Sequence, residues 1–390
     1  MAADREFLLH VSRAVWRTWN ARRPTGIDRV ALKYIEQFGK RSQAVVQFKG
    51  MTFVLSPRAS DRLFAIFLQQ GPAAKRRLLA AGAAALLSAR RSPPRRGMIY
   101  LNVGHTGLDA PALPAWIAAH DVKAVYLIHD LIPITHPQFC RDGEADRHSA
   151  RIENALVSAA GVIANSQATL DEVAAFASKR GLGMPPSIAA WISGGEPVQS
   201  EPLALDRPHF VTLGTIEGRK NHVLLLRIWK ELIEERGAEA PILLVLGQHG
   251  WKAEAAEAML RLPELRGHVR ELGGCSDEQI SAWLKGARAL LMPSFVEGFG
   301  LPIIEAFAYG TPVIAGDLPV YREIVGVIPT YLDPNDAKSW KAAISAFVGD
   351  DPERQRQKRL LERYRPPEWQ DHFAKVERWL EALAAGRAKP

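Results

Sequence analysis

Residues 294–315 read SFVEGFGLPIIEAFAYGTPVIA, and this stretch decides the fold. An apolar run ends at Ser294, a loop with two glycines follows, and a helix is predicted to begin with Pro302 near its first position. A second apolar run, Val313–Ala315, comes after the helix. A strand, a helix and a second strand in this order predict a βαβ unit, which joins parallel strands of one sheet.

The same pattern recurs along the chain, with helical stretches such as residues 222–235 between short apolar runs. Continuous apolar runs of this length are typical of strands that are buried on both faces. The sequence therefore predicts an α/β protein with parallel sheets. The predicted strands are Ile99–Asn102, Ala124–His129, Val162–Asn165, Phe210–Gly214, Ile242–Gly247, Leu290–Ser294 and Val313–Ala315.

The length of 390 residues suggests two domains. A stretch rich in Gly, Pro and Ser separates two sets of βα units and is interpreted as a linker over 191–207. We expect a first lobe over 1–190, a second lobe over 208–365, and a final segment over 366–390. The final segment has an amphipathic pattern, which predicts a helix that returns to the first lobe.

Composition excludes several classes of protein. Hydrophobic residues make up 47% and charged residues 24%, which is typical of a globular chain and not of a disordered one. The two cysteines, Cys140 and Cys275, form neither a disulfide scaffold nor a zinc pattern. The longest apolar stretch, residues 78–87, is too short to span a bilayer, and the N-terminus lacks a signal pattern. We expect a cytoplasmic protein.

The chain is basic, with 50 Lys and Arg against 42 Asp and Glu, a net charge of +8. Nucleic acid, an anionic membrane surface and phosphate-bearing substrates are the partners that such a charge allows. Residues 61–97 combine apolar side chains with a run of Lys and Arg. This segment is interpreted either as a surface that lies on an anionic membrane or as a solvated helix packed on the lobe.

The loop after the Leu290–Ser294 run carries the first candidate site. The loop and the following helix point backbone N–H groups toward a bound anion. Glu297 lies in the loop and can accept hydrogen bonds from sugar hydroxyls, whereas Glu305 lies about one turn into the helix and can take a ribose diol. The alternative is that Glu305 is an ordinary surface residue of the first helical turn.

Two further strand ends carry candidate residues. Gly214-Thr-Ile-Glu-Gly-Arg219-Lys220-Asn221 follows one run and places two cations where a diphosphate would dock. His129 follows another run, where it can bond a sugar hydroxyl or move a proton, or be a buried structural histidine. Dinucleotide, P-loop, HExxH and GxSxG signatures are absent from the sequence, and the acidic residues of 333–336 are interpreted as a loop.

These segments together resemble the retaining glycosyltransferases of family 4, which have the GT-B fold. SFVEGFGLPIIEAFAYGTPVIA resembles the family signature, in which Glu297 and Glu305 match the E-x7-E pair, and GTIEGRKN resembles its diphosphate-binding loop. IHDLIPITHPQF at 128–139 is similar to a segment of mannosyl- and rhamnosyltransferases of bacterial surface polysaccharide synthesis. The segment ANSQATLDEV and the loop that begins PTGIDRV at residue 24 also fit the family.

The resemblance implies two Rossmann-like lobes that face a central cleft, with a nucleotide sugar mainly on the second. It implies that Glu297, Arg219, Lys220 and His129 are catalytic, with the two cations in place of a metal, so no metal or other cofactor is expected. A saccharide or lipid-linked acceptor would lie on the first lobe. The implied donor-binding residues are Gly26, Gly214, Cys275, Gly298, Phe299, Gly300, Leu301 and Glu305, and the acceptor-side candidates are Asp130, His105 and Ser166.

The expected reaction transfers a hexose, with GDP-mannose favoured as donor and rhamnosyl, fucosyl and glucosyl donors open. No obvious nucleophile is available on the reacting face, so we expect the acceptor to attack the face that the diphosphate leaves. The alternatives are an epimerase or phosphorylase of the same fold, a degenerate scaffold, and a basic nucleic-acid-binding protein. The sequence contains no pattern that is typical of nucleic-acid recognition, which disfavours the nucleic-acid-binding alternative. An anionic inner membrane face is the expected location of a lipid-linked acceptor.

Overall fold

The structure is a computed structural model that describes residues 5–20, 26–69, 71, 73–89 and 94–388. Residue contacts divide the chain into two units. The first comprises residues 1–131, 146–192 and 370–390, and the second comprises 132–145 and 193–369. Each unit is built around a single sheet with helices packed against it, so the predicted α/β class is confirmed.

The sheet of the first unit has seven strands in the order β3-β2-β1-β4-β5-β6-β7, and all neighbours are parallel except the hairpin β2–β3. The sheet of the second unit has six strands in the order β10-β9-β8-β11-β12-β13, all parallel. The strands are β1 (Phe7–His10), β2 (Ser42–Phe48), β3 (Met51–Val54), β4 (Ile99–Asn102), β5 (Lys123–Ile128), β6 (Ala159–Ala164), β7 (Ser187–Ala189), β8 (His209–Leu213), β9 (Ile242–Leu246), β10 (Val269–Glu271), β11 (Leu290–Met292), β12 (Val313–Gly316) and β13 (Thr330–Leu332).

Helices connect most of these strands, as parallel pairing requires. They are α1 (Ser12–Trp19), α2 (Gly26–Phe38), α3 (Pro57–Leu68), α4 (Ala74–Ala89), α5 (Ala112–His120), α6 (Ile132–Thr135), α7 (Glu144–Ser158), α8 (Gln167–Lys179), α9 (His222–Arg236), α10 (Glu254–Leu260), α11 (Asp277–Gly286), α12 (Leu301–Ala308), α13 (Pro319–Val325), α14 (Ala337–Val348), α15 (Pro352–Leu361) and α16 (Trp369–Ala384).

All seven predicted strands are present, with ends that shift by up to three residues. Most of their side chains are buried, as the apolar runs predicted. The strands without a prediction are short or mixed in polarity. In β2 the glutamines Gln43 and Gln47 flank a run of only three apolar residues, and two of the three residues of β10 are charged and exposed at the sheet edge.

The C-terminal segment forms α16, which groups with the first unit. Its apolar face buries Phe373, Val376, Leu380 and Leu383. The Phe373 ring packs edge-on against Tyr34, with ring centroids 5.2 Å apart. The amphipathic pattern therefore corresponds to a helix whose apolar stripe completes the core of the first unit.

Residues 132–145 group with the second unit, although they precede most of its sequence. This arrangement differs from the predicted first lobe of 1–190. Phe139 stacks on Phe295 with ring centroids 5.2 Å apart and planes within 8° of parallel, and Cys140 is buried in one cluster with Val296. These aromatic and apolar contacts, which link positions far apart in sequence, hold the segment to the second unit.

The basic region 61–97 is divided between α3 and α4 in the structure. The membrane interpretation requires the apolar side chains of this region to be exposed. Three of them are instead buried in the first unit: Phe64, Ile66 and Phe67. Arg90 and Arg91 lie outside the described residues. Among the residues that the structure describes, no helix is long and apolar enough to cross a bilayer.

Candidate active site

Each sheet has one pair of neighbouring strands from which the connections to the next strands run toward opposite edges of the sheet. In open parallel sheets, the loops at the carboxyl ends of such a pair bind ligands. In the second unit this pair is β8 and β11. The loop after β8 contains Arg219 and Lys220, and the loop after β11 contains Glu297. Positions almost 80 residues apart in sequence are therefore adjacent at one sheet edge.

Gly214 shapes the loop after β8. It has φ of +125°, and a Cβ placed on it would lie 3.0 Å from both Cε and Nζ of Lys220. A side chain at this position would push against the lysine, so only glycine lets Lys220 lie against the end of β8. A single 3₁₀ turn, Gly218–Lys220, then leads into α9.

Glu297 is the centre of an ion cluster. Its Oε1 accepts hydrogen bonds from Lys220 Nζ at 2.7 Å and from Ser294 Oγ at 2.9 Å, and its Oε2 accepts from Arg219 Nη1 at 2.5 Å. Arg219 also donates to the Val296 carbonyl at 3.1 Å. Two basic residues of one loop are thus fixed by a carboxylate of the neighbouring loop.

The charge of Glu297 is stabilised within this cluster. Burial by itself would raise the pKa of the carboxyl, but the attraction and hydrogen bonds of Arg219 and Lys220 outweigh it and lower the pKa of Glu297 to about 2. The carboxylate is therefore ionised at neutral pH. A buried charge of this kind persists only because it is paired on both oxygens.

The N-terminus of α12 lies immediately after Glu297 along the chain. Gly300 occupies the cap position with φ of +111° and brings no side chain to cover the first amides of the helix, which begins Leu301-Pro302. A Cβ at Gly300 would lie 2.7 Å from Cε1 of Tyr321, which is buried. The segment from Gly298 to Leu301, predicted to hold the donor, thus ends in a helix terminus that favours an anion.

Glu305 lies one turn into α12 and is half-buried. A Cβ placed on Gly194 would lie 3.1 Å from its Cγ, so the loop at 193–195 passes close to the glutamate. Glycine at position 194 therefore lets the loop backbone lie against Glu305, and a larger residue at that position would press on the glutamate side chain.

Cys275 lies in the loop between β10 and α11, where its Sγ is 3.7 Å from the Leu272 carbonyl oxygen. Ser276 and Gln279 form a reciprocal cap at the start of α11. The loops after β8 and β9 also approach closely, since a Cβ on Gly247 would lie 2.0 Å from the Gly214 oxygen. Of the predicted donor-binding residues of the second unit, Gly214, Cys275 and residues 298–300 thus lie in loops that follow strands of its sheet, whereas Leu301 and Glu305 lie on α12.

The first unit carries polar residues at its own carboxyl edge. His10 ends β1, Asn102 ends β4, and His129 and Asn165 directly follow β5 and β6. His129 is buried, and its Nε2 donates to the Val103 carbonyl at 2.8 Å. Burial lowers the pKa of His129, which favours a neutral ring with a lone pair on Nδ1.

The other candidates of the first unit are His105, Asp130, Ser166 and Gly26. His105 Nε2 accepts from the His129 backbone N–H at 3.1 Å, and burial holds the pKa of His105 well below its usual range. Asp130 contributes its carbonyl to His148 Nε2 at 3.2 Å. Ser166 caps α8 by accepting from the Thr169 N–H at 3.0 Å, which is a structural role. Gly26 begins α2 and is exposed; the residues just before it are outside the described part.

No group of three or more His, Cys, Asp or Glu within the described ranges could hold a metal ion.

The model for the family of glycosyl transferases group 1 matches residues 196–360, a range that contains the ion cluster and α12. The matched region is 165 of the 390 residues and resembles a group 1 glycosyltransferase domain. The match to this family was predicted from the Glu297–Glu305 segment, and that prediction is confirmed.

Curated relatives of this chain include mannosyltransferases. The O-antigen chain mannosyltransferase B of Escherichia coli is 35% identical over 139 residues, which cover 36% of this chain and 36% of that protein. The serotype-specific mannosyltransferase WbdA of E. coli is 27% identical over 219 residues, or 52% of this chain and 27% of that protein. The matched regions thus span about a third of the length of these relatives.

Solved structures resemble the chain along almost its whole length. Sucrose-phosphate synthase from Thermosynechococcus elongatus has a TM-score of 0.63 at 15% identity, covering 98% of this chain and all of that one. HepE of Anabaena in complex with UDP-glucose has a TM-score of 0.65 at 13% identity, covering 97% and 99%. These likenesses confirm the predicted GT-B fold class, and the residues that match the group 1 model lie within the second unit.

Three buried residues around the ion cluster had no sequence prediction. Oε2 of Glu217 and both ring nitrogens of His222 are buried without a hydrogen-bond partner among the described residues, and the third residue, Tyr321, is buried beside Ser294. Burial lowers the pKa of His222 to about 3. Glu217 and His222 flank the Arg219-Lys220 pair in sequence, which is the one signal that pointed to them.

Proposed function

We propose that this protein is a retaining glycosyltransferase that moves a hexose, with mannose favoured, from a nucleotide sugar to a saccharide or lipid-linked acceptor. The observation that carries the proposal is the buried cluster of Arg219, Lys220 and Glu297 at the sheet edge from which α12 begins. Fixed cations and a helix N-terminus in one place match a departing diphosphate.

The proposed chemistry follows from this charge arrangement. The bond between the anomeric carbon and the diphosphate oxygen breaks, and negative charge grows on the leaving diphosphate near Arg219 and Lys220. The acceptor hydroxyl attacks the same face, and its proton passes to a diphosphate oxygen. Glu297 Oε2 retains a second lone pair after its bond to Arg219, so it can also accept from a sugar hydroxyl.

His129 has a different part in this proposal. Because Nε2 donates to Val103, the neutral ring offers Nδ1 as a hydrogen-bond acceptor for a hydroxyl of the donor sugar. The lowered pKa opposes a role as proton donor at neutral pH. We therefore assign His129 to sugar orientation, with His105 holding its backbone.

The cations take the role that a metal ion has in other transferases of sugars. Under this proposal, turnover with purified protein is unchanged by an excess of EDTA and by added Mg²⁺. A loss of turnover on chelation that Mg²⁺ restores would contradict it.

The choice of mannose is supported by the two E. coli relatives, which are mannosyltransferases. Rhamnosyl, fucosyl and glucosyl donors remain alternatives. The nucleobase is expected to contact backbone groups near Cys275, so side chains do not reveal its identity. A panel of GDP, UDP, dTDP and CDP in thermal-shift measurements tests the base directly.

We further propose that the protein acts at the cytoplasmic face of a membrane and that an anionic bilayer is the surface it contacts. Residues 62–108 contain eight Lys or Arg and no Asp or Glu. Trp16 and Trp19 on α1 are about half exposed, and Lys75 on α4 lies 5.3 Å from the Trp19 ring centroid. Tryptophan beside basic residues suits the interface of an anionic membrane.

Co-sedimentation with vesicles tests this membrane contact. We expect binding to phosphatidylglycerol-rich vesicles that weakens with salt and with Trp16→Ser plus Trp19→Ser, and no binding to phosphatidylcholine. Trp191→Ser is the matched control, since Trp191 is 41% exposed elsewhere in the same unit. Equal binding of both variants would contradict the proposed surface.

The test of the transferase reaction itself uses the nucleotide that gives the largest thermal shift. The nucleotide sugar that joins this nucleoside diphosphate to mannose is incubated with the protein and a panel of saccharide acceptors. The product is analysed by mass spectrometry. The anomeric configuration from NMR coupling constants is expected to match that of the donor. An inverted product, or a glycosyl group covalently attached to quenched protein, would contradict the mechanism.

A further inference from the structure

Glu217 is a buried carboxylate that the proposed reaction does not use. It lies between β8 and the 3₁₀ turn, and its side chain is only 3% exposed. Its Oε1 accepts from Arg219 Nη2 at 2.7 Å. Its Oε2 is buried, and no donor within the described part of the chain bonds to it. An ionised oxygen in this state is costly, which calls for an explanation.

The guanidinium of Arg219 lies between two carboxylates. Nη2 is paired with Glu217 and Nη1 with Glu297, which also holds Lys220. When both glutamates are ionised, these four side chains sum to zero charge. The cluster that is proposed to receive a diphosphate therefore has no net positive charge while it is empty.

The groups that face Glu217 shift the pKa of its carboxyl. Arg219 and Lys220 come from its own loop and Glu297 from the loop after β11, while Gly250 of the loop after β9 packs on its Cβ. Burial raises the pKa of Glu217, the two cations oppose the rise, and the charge of Glu297 adds to it, so the pKa lies above its usual value. Additional negative charge nearby would raise it further.

We propose that Glu217 is the counter-charge of the diphosphate site: it positions Arg219 in the empty site and binds one proton on Oε2 when a nucleotide diphosphate enters. The proton comes from solvent, and Oε1 continues to accept from Arg219. The charge of the four side chains then changes from zero to +1. This inference rests on the proposed function, because it needs a diphosphate beside Arg219.

Proton linkage makes the inference measurable. A nucleotide sugar is the suitable probe, because its diphosphate lacks the terminal phosphate ionisation near pH 6 that would itself take up protons. Calorimetric titrations in two buffers of different ionisation enthalpy give the number of protons bound with the nucleotide. We expect wild-type protein to take up a large part of one proton, and its affinity to fall by up to about tenfold per pH unit above neutrality.

Glu217→Gln is the decisive variant, since the amide oxygen can still accept from Arg219 but the group cannot titrate. We expect it to bind the nucleotide sugar without proton uptake and with affinity independent of pH. Glu217→Ala removes the partner of Arg219, so we expect weaker binding that pH does not restore. A nucleoside without phosphates, tested on wild-type protein, should bind without proton uptake.

The outcomes separate this inference from the proposed function. If the nucleotide sugar binds to wild-type protein without proton uptake, or if Glu217→Gln takes up as many protons as wild type, Glu217 is not the counter-charge, and the transferase proposal remains. If wild-type protein binds no nucleotide sugar at all, both proposals are wrong. Should Glu217→Gln fail to fold, Glu217→Ala takes its place, and proton uptake by that variant equal to the uptake by wild type would overturn the inference.

Discussion

The carboxyl edges of the two sheets differ in chemistry although the sheets share one architecture. The edge of the first unit carries His10, His129 and amide side chains, and burial lowers the pKa of both histidines. The edge of the second unit carries buried ions centred on Glu297. A neutral edge can orient hydroxyls, whereas only a charged edge can stabilise a departing diphosphate.

Substitutions matched across the two edges should have unequal effects on turnover. Arg219→Ala plus Lys220→Ala removes two charge contacts from the leaving group, and we expect turnover to fall by about 10³-fold or more. His129→Gln keeps a donor for Val103 but loses the Nδ1 acceptor, so we expect a loss of about tenfold. Product formation measured by mass spectrometry gives the turnover of both variants. Equal losses would mean that the two sheet edges do not have different roles in the reaction.

The double variant should also unfold more easily. It leaves the buried carboxylate of Glu297 without cations, which costs about 3–5 kcal/mol of stability. Adding Glu297→Gln removes that charge and should restore much of the unfolding free energy without restoring turnover. Chemical denaturation measures both effects, and a double variant as stable as wild type would contradict the buried pairing.

Buried histidines should make the protein sensitive to acid. Burial lowers the pKa of His10 and of His372 to about 4, whereas the unfolded chain takes up these protons near pH 6.5. Below pH 6.5 the unfolded state therefore binds more protons than the folded state. As the pH is lowered, the free energy of unfolding decreases until the pH reaches the pKa of the folded state. At pH 5 each histidine should cost about 2 kcal/mol relative to pH 7.

His372→Gln tests the acid sensitivity in the first unit. The unfolding free energy of this variant should depend less steeply on pH between 6.5 and 4, by about 1.4 kcal/mol per pH unit. The charged cluster of the second unit should lose stability only at lower pH, because the pKa of Glu297 is about 2. An unchanged slope in the variant would refute the assignment.

Glu305 should affect nucleotide binding more than stability. Glu305→Gln removes a charged acceptor for the ribose diol, and we expect affinity for the nucleoside diphosphate to fall by about 10- to 100-fold. Wild-type protein should also discriminate against 2′-deoxynucleotides, and the variant should not. Calorimetry with both ligands is the measurement, and preserved discrimination would contradict the ribose role.

Gly300 should tolerate alanine poorly. Its φ of +111° and the 2.7 Å approach of a new Cβ to Tyr321 predict a loss of about 1–3 kcal/mol. Gly310→Ala is the control, because its φ is +71° and no described atom lies within 4 Å, so we expect a smaller loss, of about 1 kcal/mol. Thermal unfolding distinguishes them, and equal losses would show that the Tyr321 contact is unimportant.

The sequence predicted the buried strands because their apolar runs are continuous, and it predicted α16 because its apolar residues recur at helical spacing. It failed for β10, whose exposed Arg270 and Glu271 give no apolar pattern. It gave separate roles to Glu297 and to Arg219 with Lys220, although the structure joins them in one cluster. Pairing between positions almost 80 residues apart has no signature in local sequence.

Local chemistry was therefore determined by the sequence alone: which segments are strands, which loops carry cations, and that α12 starts after a glycine. The tertiary structure alone decided that β8 and β11 are neighbours, which brings the cations to Glu297 and buries Glu217 beside them. The physical reason is that periodicity and residue type act over a few residues, whereas burial and ion pairing depend on which distant segments the sheet order makes adjacent.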